Sequence, residues 1–173
     1  KAASSLTFRV LDQAGSAPAW DVYDETLGED VRQGVPELER GLCYLKQGKK
    51  DEAGQWLRRA VEKNPANEQA RARLADIYFS RQAYAEVARL YSGSQVTGQT
   101  EEQTILRVAE SLDKIGATGQ AIQILESALK VRDPSGPVLL ALSSYYQKAG
   151  ENQKAAEFAK RAEAAMGKGA ARP

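Results

Sequence analysis

The residue types that most often carry chemistry in enzymes are scarce in this sequence. Histidine is absent, and Cys43 is the single cysteine. The chain therefore has no imidazole to activate a thiol or a hydroxyl, or to bind a metal. One cysteine also excludes an internal disulfide and a multi-cysteine metal site. We interpret Cys43 as a small buried hydrophobic residue within a helix.

The other candidate groups do not form a catalytic pattern. Asp76, Glu110 and Asp113 fall on the faces of predicted helices, where we interpret them as solvated charges. The stretches GSQVTG and GATGQA do not follow a strand with the spacing of a phosphate-binding loop. The sequence thus predicts a protein that is not an enzyme and that needs no cofactor and no metal.

Charge and hydropathy restrict the kinds of partner. The chain has 24 basic and 23 acidic side chains, a net charge of +1, which favours neither nucleic acid nor an anionic surface. No apolar run approaches the ~18 residues that span a bilayer, so direct membrane insertion is not expected. The sequence begins at Lys1. We therefore leave two locations open, the cytoplasm and, after removal of a signal peptide, the bacterial periplasm or another extracytoplasmic space.

A 34-residue period organises most of the chain into frames 34–67, 68–101, 102–135 and 136–169. Small residues recur at the eighth, twentieth and twenty-seventh positions of the frames, and bulky ones at the eleventh and twenty-fourth. This register predicts four pairs of antiparallel amphipathic helices whose backbones approach closely at the small residues. Tight turns are predicted near the fifteenth position of each frame, at Gly48, Gln82, Gly116 and Gly150.

Three stretches depart from this regular pattern. After Tyr91, the sequence SGSQVTGQ predicts an early helix end and a loop, and TEEQ from Thr100 predicts a capping box for the next helix. Residues 1–33 are predicted to form a β-hairpin, a cap on the first repeat or the remnant of a preceding domain, and these alternatives stay open. The fourth frame ends without a polar cap, which predicts partial cover of its last helix and weak self-association there. The side expected to be only partly covered carries Ala155, Ala159 and Ala162.

The register resembles the tetratricopeptide repeat, a 34-residue helix–turn–helix unit, over residues 34 to about 167. The best match is GLCYLKQGKKDEAGQWLRRAVEKNP in the first frame, whereas Glu37 and Arg71 replace the apolar residue usual at the fourth position. The resemblance implies an all-α fold, a right-handed α-solenoid of four such units. It also implies a protein–protein interaction scaffold or adaptor that holds a peptide or helix of a partner in its concave groove. The alternative is an accessory or regulatory segment of a larger multidomain enzyme or of a secretion or assembly machine.

The resemblance further implies which residues line the groove. They are Leu38, Leu42, Leu45, Lys46, Arg73, Asp76, Phe79, Leu106, Arg107, Glu110 and Lys114. One branch of the family binds a C-terminal carboxylate there, and only Arg107 matches its pattern. The resemblance therefore favours a different ligand, an amphipathic segment whose acidic groups meet Arg73 and Arg107. The first frame offers a leucine strip, Leu38, Leu42 and Leu45, and residues 1–33 are its alternative occupant.

Overall fold

The computed structural model describes residues 35–92, 96–131, 133 and 135–169. Every regular element in these ranges is an α-helix. The helices are α1 Val35–Lys46, α2 Lys50–Lys63, α3 Glu68–Ser80, α4 Tyr84–Leu90, α5 Glu102–Lys114, α6 Thr118–Val131, α7 Gly136–Lys148 and α8 Asn152–Gly169. The predicted fold class, an all-α solenoid of helix–turn–helix units, is confirmed. The alternatives for residues 1–33 lie outside the described residues.

The chain divides into two compact units, Lys1–Asn67 and Glu68–Pro173. In the first unit, α1 packs against α2. In the second unit, α3, α5 and α7 each pack against the helix that follows, and α5 and α7 also contact the pair before them. This order of contacts is that of a repeat array, in which each helix pair buries its apolar surface against its neighbours.

The first helix of every pair ends in the same hydrogen-bonded turn. At the end of α1, the Gly48 N–H donates to the Leu45 carbonyl at 3.0 Å, and the Lys49 N–H donates to the Tyr44 carbonyl at 2.9 Å. This is the Schellman arrangement, whose first donor residue adopts a left-handed conformation. The four residues at that position are Gly48, Gln82, Gly116 and Gly150, with φ of 74°, 59°, 82° and 80°. The predicted turns are confirmed.

The small residues of the register lie at the closest helix contacts. Ala53, Ala75, Ala109 and Ala121 are fully buried. A Cβ added at Gly41 would lie 2.6 Å from Leu57 Cγ, so this position has no room for a side chain. The bulky positions fill the remaining space, with Tyr78, Tyr91, Leu112, Leu125 and Tyr146 all buried. Helices that touch through small residues gain close packing along their whole length.

The second pair departs from the register as predicted, but its next helix starts differently. Helix α4 has only seven residues, and an irregular segment leads from Tyr91 to α5. The capping box at Thr100 is wrong, because the residue that precedes α5 is Glu101 and its side chain makes no capping hydrogen bond. The Thr100 side chain is buried and accepts the Thr97 N–H at 3.3 Å. Its oxygen therefore stabilises the loop instead of the helix.

The charged residues at the fourth positions are buried and form ion pairs, although Glu37 Oε2 has no hydrogen-bond partner among the described residues. Glu37 forms an ion pair with Lys63 across the first pair. Arg71 pairs with Glu68 one turn earlier, and its guanidinium lies 4.7 Å from the centre of the Tyr91 ring. The two departures from the repeat pattern are thus compensated by ion pairs and ring stacking.

The last helix is better covered than the sequence predicts. Ala155 and Ala162 are buried, at 7% and 0% exposure, and only Ala159 is half-buried. The Ser143 hydroxyl of α7 also donates to the Ala155 carbonyl at 2.8 Å. The prediction that this side of the last helix is only partly covered is wrong for Ala155 and Ala162, because α8 packs against α7 through it.

Candidate functional site

Four of the predicted groove residues meet in one cluster of the second unit. Asp76 of α3 accepts hydrogen bonds from Arg73, at 3.4 Å, and from Arg107 of α5. Arg73 also donates to Glu101 at 3.4 Å, and the Arg107 guanidinium lies 5.8 Å from the centre of the Phe79 ring. We call Arg73, Asp76, Phe79, Arg107 and Glu101 the arginine cluster. It joins two successive first helices on one face of the second unit.

The positions of these residues follow from helix geometry. Arg73 and Asp76 are three residues apart, which places their side chains on one face of α3. Arg107 stands in the third frame where Arg73 stands in the second, so the packing of α5 on α3 brings it to Asp76. Single partly exposed ion pairs of this kind contribute about 0.2–1 kcal/mol each. A ligand carboxylate can therefore replace one of them at little cost.

The arginine cluster is half open to solvent. Relative to fully exposed side chains, those of Arg73, Asp76 and Arg107 are 35%, 29% and 28% exposed. A guanidinium has five N–H donors, and the bonds to Asp76 and Glu101 use only some of them. Each arginine therefore keeps N–H donors for a further carboxylate or carbonyl oxygen.

A cleft of about 240 Å³ lies beside Arg73. It is formed by the first turns of α3 and the loop before α5, and its lining is Glu68, Gln69, Ala72, Arg73, Gln99 and Glu101. Amide side chains both donate and accept hydrogen bonds, as a peptide backbone requires of its partner. The size and lining of the cleft suit one or two residues of a peptide rather than a large cofactor.

A second polar cluster joins α5 to α7. Lys148 pairs with Asp113, which also accepts the Thr118 hydroxyl at 2.9 Å. Burial raises the pKa of Tyr145 to about 12, and the carboxylates of Asp113 and Glu110 add to that rise. Partial burial opposes ionisation of Asp113, but the hydrogen bonds from Lys148 and Thr118 outweigh it and lower its pKa. This cluster links the third and fourth pairs.

The remaining predicted groove residues of the second unit are Leu106 and Lys114, and the charge of Lys114 also helps to lower the pKa of Asp113. Leu106 is half-buried, and Lys114 is exposed. In the first unit, Leu38 is buried at 6% exposure, Leu42 and Leu45 are half-buried, and Lys46 is exposed. The partly exposed apolar surface of the leucine strip therefore comes from Leu42 and Leu45.

Two further residues, Leu140 and Glu101, are not found by sequence reasoning. Leu140 of α7 is 46% exposed and stands at the fifth position of the fourth frame, as Leu106 does in the third. Extending the register by one frame identifies it. Glu101 pairs with Arg73, but it belongs to the irregular segment before α5, and no repeat position predicts its contact.

The described residues offer little support for other chemistry. Cys43 is half-buried instead of buried, and its sulfur accepts a hydrogen bond from Gln47 at 3.4 Å. Within the ranges that the structure describes, no group of three His, Cys, Asp or Glu side chains could hold a metal ion. In the same ranges, no helix has the length and apolar character of a membrane span.

Comparison with known proteins gives a family match within the first helix pair and a similar fold. Residues 38–67 match the model of the tetratricopeptide repeat family. No curated protein sequence matches the chain significantly.

Several solved structures named MamA have a similar fold. The MamA RS-1 ArsTM double mutant is 11% identical, with a TM-score of 0.72 over 98% of this chain and 95% of its own. The MamA MSR-1 C2 structure is 20% identical, with a TM-score of 0.63 over 96% and 95%. MamA 41-end from Desulfovibrio magneticus RS-1 is 11% identical, with a TM-score of 0.62 over 94% and 92%. The resemblance predicted from the sequence is thus confirmed: the chain resembles tetratricopeptide repeat proteins, by a family match in its first helix pair and by a helical fold shared with MamA.

Proposed function

We propose that this protein is a non-catalytic interaction scaffold that binds a segment of a partner protein across the arginine cluster of its second unit. The observation that carries the proposal is the half-open pair of guanidiniums, Arg73 and Arg107, held on one face of the repeat array. Arrays of helix pairs provide extended surfaces of this kind for protein partners.

The chemistry of the face defines the partner segment. Apolar surface is provided by the half-buried Leu106 and the exposed Leu140. The arginines supply N–H donors that suit carboxylates. The partner that fits is an amphipathic helix or extended segment with acidic groups next to apolar ones.

The internal carboxylates limit how strongly such a segment is attracted. Arg73 and Arg107 carry a charge of +2, and the carboxylates of Asp76 and Glu101 carry −2. The net charge of the arginine cluster is therefore zero. Recognition therefore depends on hydrogen-bond geometry and apolar contact more than on net charge. Because Asp76 competes with a ligand carboxylate for both arginines, Asp76→Asn should strengthen binding of an acidic segment severalfold.

The test begins with ligands selected from a random peptide library displayed on phage, with the full chain as bait. Affinities of the selected peptides are then measured for the wild type and for Arg73→Gln/Arg107→Gln, which removes both charges without placing an acid beside Asp76. We expect the selected peptides to contain both acidic and apolar residues. Their affinity for the Arg73→Gln/Arg107→Gln variant should be at least tenfold lower than for the wild type. Circular dichroism verifies that helicity is unchanged.

A matched variant separates the site from general electrostatics. Lys130→Gln/Lys160→Gln removes the same charge from exposed lysines on α6 and α8 of the same unit, and its affinities should equal those of the wild type. Equal binding by the Arg73→Gln/Arg107→Gln variant would contradict the assignment of the site. An equal loss in the lysine variant would show that net charge alone drives the binding.

A further inference from the structure

The cleft beside Arg73 lies where the second frame departs from the repeat pattern. At the fifth position, the first, third and fourth frames carry leucine, whereas the second frame carries Ala72. Residues 91–101 separate α4 from α5, whereas only residues 64–67 and 132–135 separate the other pairs of the array. Ala72 and two residues of this longer connection, Gln99 and Glu101, line the cleft. We call it the second-frame cleft.

The wall of the second-frame cleft is held by local hydrogen bonds. The buried hydroxyl of Thr100 accepts the Thr97 N–H at 3.3 Å, and the Thr97 hydroxyl accepts the Gln99 N–H at 3.3 Å. The Thr100 N–H also donates to the Thr97 carbonyl at 3.1 Å. The stretch that carries Gln99 and Glu101 is therefore ordered before a ligand enters, which reduces the entropy lost on binding.

The carboxylates of the cleft already face arginines. Glu68 accepts hydrogen bonds from Arg71, one of them at 3.1 Å, and from the Tyr91 hydroxyl at 3.2 Å. Glu101 accepts a hydrogen bond from Arg73 at 3.4 Å. The charges of the lining are thus balanced, and a charged side chain in the cleft would add a charge that the lining does not compensate. A partner carboxylate would also lie beside both glutamates here, so the open side of the arginine cluster suits it better.

The amides of the lining define the group that fits. Gln69 and Gln99 each provide N–H donors and a carbonyl acceptor. An apolar side chain would cover these groups without replacing their hydrogen bonds to water, which opposes binding. The side chain of asparagine or glutamine carries no charge and both donates and accepts hydrogen bonds. Ala72 leaves the space for it, because the three further carbons of a leucine at this position would extend into the cleft.

We propose that the second-frame cleft binds the amide side chain of an asparagine or glutamine in the partner segment. The inference rests on the proposed function, since it assigns a second residue of the segment whose acidic group meets the arginine cluster. Ala72 is then the residue that determines this specificity. The volume of the cleft, about 240 Å³, suits one side chain, because sites for whole small molecules measure about 300–1,000 Å³.

The position of the cleft also predicts the spacing of the two partner residues. Ala72 and Asp76 are four residues apart on α3, which is about 6 Å along the helix axis. Two residues of an extended segment advance about 7 Å, and one turn of a helix advances about 5 Å. The amide and acidic residues should therefore be two positions apart in an extended partner, or three to four apart in a helical one.

The library selection that identifies partner peptides also tests the cleft. The peptides that bind the wild type should contain asparagine or glutamine at one of these spacings from an acidic residue. Replacing that residue in the peptide by leucine or methionine, which are similar in size, should lower the affinity for the wild type by about fivefold or more. The same replacement should change the affinity for Ala72→Leu by less than about twofold, because leucine fills the cleft.

Two further variants separate the cleft from effects on folding. Ala156→Leu makes the same change at an exposed position of α8 and should keep the wild-type response to the peptide replacement. Gln69→Ala/Gln99→Ala removes both amides from exposed positions and should reduce that response as Ala72→Leu does. Circular dichroism verifies that all three variants keep the helicity of the wild type.

A small probe without an acidic group tests the cleft in the absence of any partner peptide. In ¹H–¹⁵N spectra of the full chain, N-acetyl-glutaminamide at millimolar concentration should shift the side-chain amide signals of Gln69 and Gln99. N-acetyl-methioninamide has the same backbone amides and an apolar side chain, and it should shift these signals much less. Neither probe should shift them in Ala72→Leu.

Three results would overturn the proposal. The first is a set of peptides with acidic residues but no amide residue at a fixed spacing from them. The second is an equal effect of the peptide replacement on the wild type and Ala72→Leu. The third is an equal response to both probes, which would identify the peptide backbone as the occupant. The proposed function fails by a different result, unchanged binding by Arg73→Gln/Arg107→Gln, and the probe shifts still decide whether the cleft binds an amide.

Discussion

The turn at Gln82 gives a direct test of the repeat register. Its backbone has φ of 59°, in the region that L-residues avoid, whereas the three equivalent turns contain glycine. The hydrogen bonds are the same in kind: the Gln82 N–H donates to Phe79 and the Ala83 N–H to Tyr78, both at 2.9 Å. The Gln82 side chain is exposed. The substitution Gln82→Gly therefore changes the conformational energy of the turn and little else.

The magnitude follows from two opposing contributions. Relief of the left-handed conformation stabilises the folded state by about 1–2 kcal/mol. The greater conformational freedom of glycine in the unfolded chain offsets about 0.5–1 kcal/mol of this stabilisation. We expect Gln82→Gly to raise the free energy of unfolding by about 0.5–1 kcal/mol. With a urea m-value of about 1–3 kcal/mol/M, the midpoint rises by a few tenths of a molar or more.

The converse substitutions are matched controls. A Cβ placed on Gly116 or Gly150 meets no atom within 4 Å, so alanine there adds strain without a clash. Each should lower the free energy of unfolding by about 1 kcal/mol, and Gln82→Ala should leave it nearly unchanged because alanine keeps the strain. The assay is urea unfolding followed by circular dichroism at 222 nm. An unchanged or lower midpoint for Gln82→Gly, at equal m-value, would refute the assignment of these turns.

Further predictions concern packing and pH. Gly41→Ala should lower the free energy of unfolding by about 1–3 kcal/mol because its Cβ would meet the buried Leu57 at 2.6 Å, whereas Gly119→Ala, in open space on α6, should raise it by up to about 1 kcal/mol. Ala121→Trp should cost about 1–3 kcal/mol, since this residue is fully buried, and an unchanged denaturation midpoint would contradict the register. Burial and a glutamate hydrogen bond raise the pKa of Tyr146 to about 12. Its stabilising contribution should therefore be complete below pH 10 and be lost between about pH 10 and 12, which urea midpoints of the wild type and Tyr146→Phe at pH 9 and 11 would reveal.

The repeat architecture of this protein can be predicted from its amino-acid sequence. The positions of the four turns, including the one without glycine, and the small residues at helix contacts could all be read from the 34-residue period. The reason is that these features depend on nearby residues: a turn closes hydrogen bonds over six residues, and close packing requires a small side chain at a fixed place in each pair. Such constraints recur in every repeat, so the pattern remains visible when single positions vary.

The tertiary structure alone decides which charged groups meet. Asp76 and Arg107 are 31 residues apart, and their ion pair depends on the offset and rotation of α5 relative to α3. Thr100 is a different case: its hydroxyl accepts the N–H of Thr97, three residues earlier, so the local conformation of the loop decides its role. Side-chain contacts between repeats need ångström-level placement of two helices, whereas the period fixes only which face each residue occupies. The register therefore names the candidate face, and the packing of α3 against α5 decides how its arginines are paired.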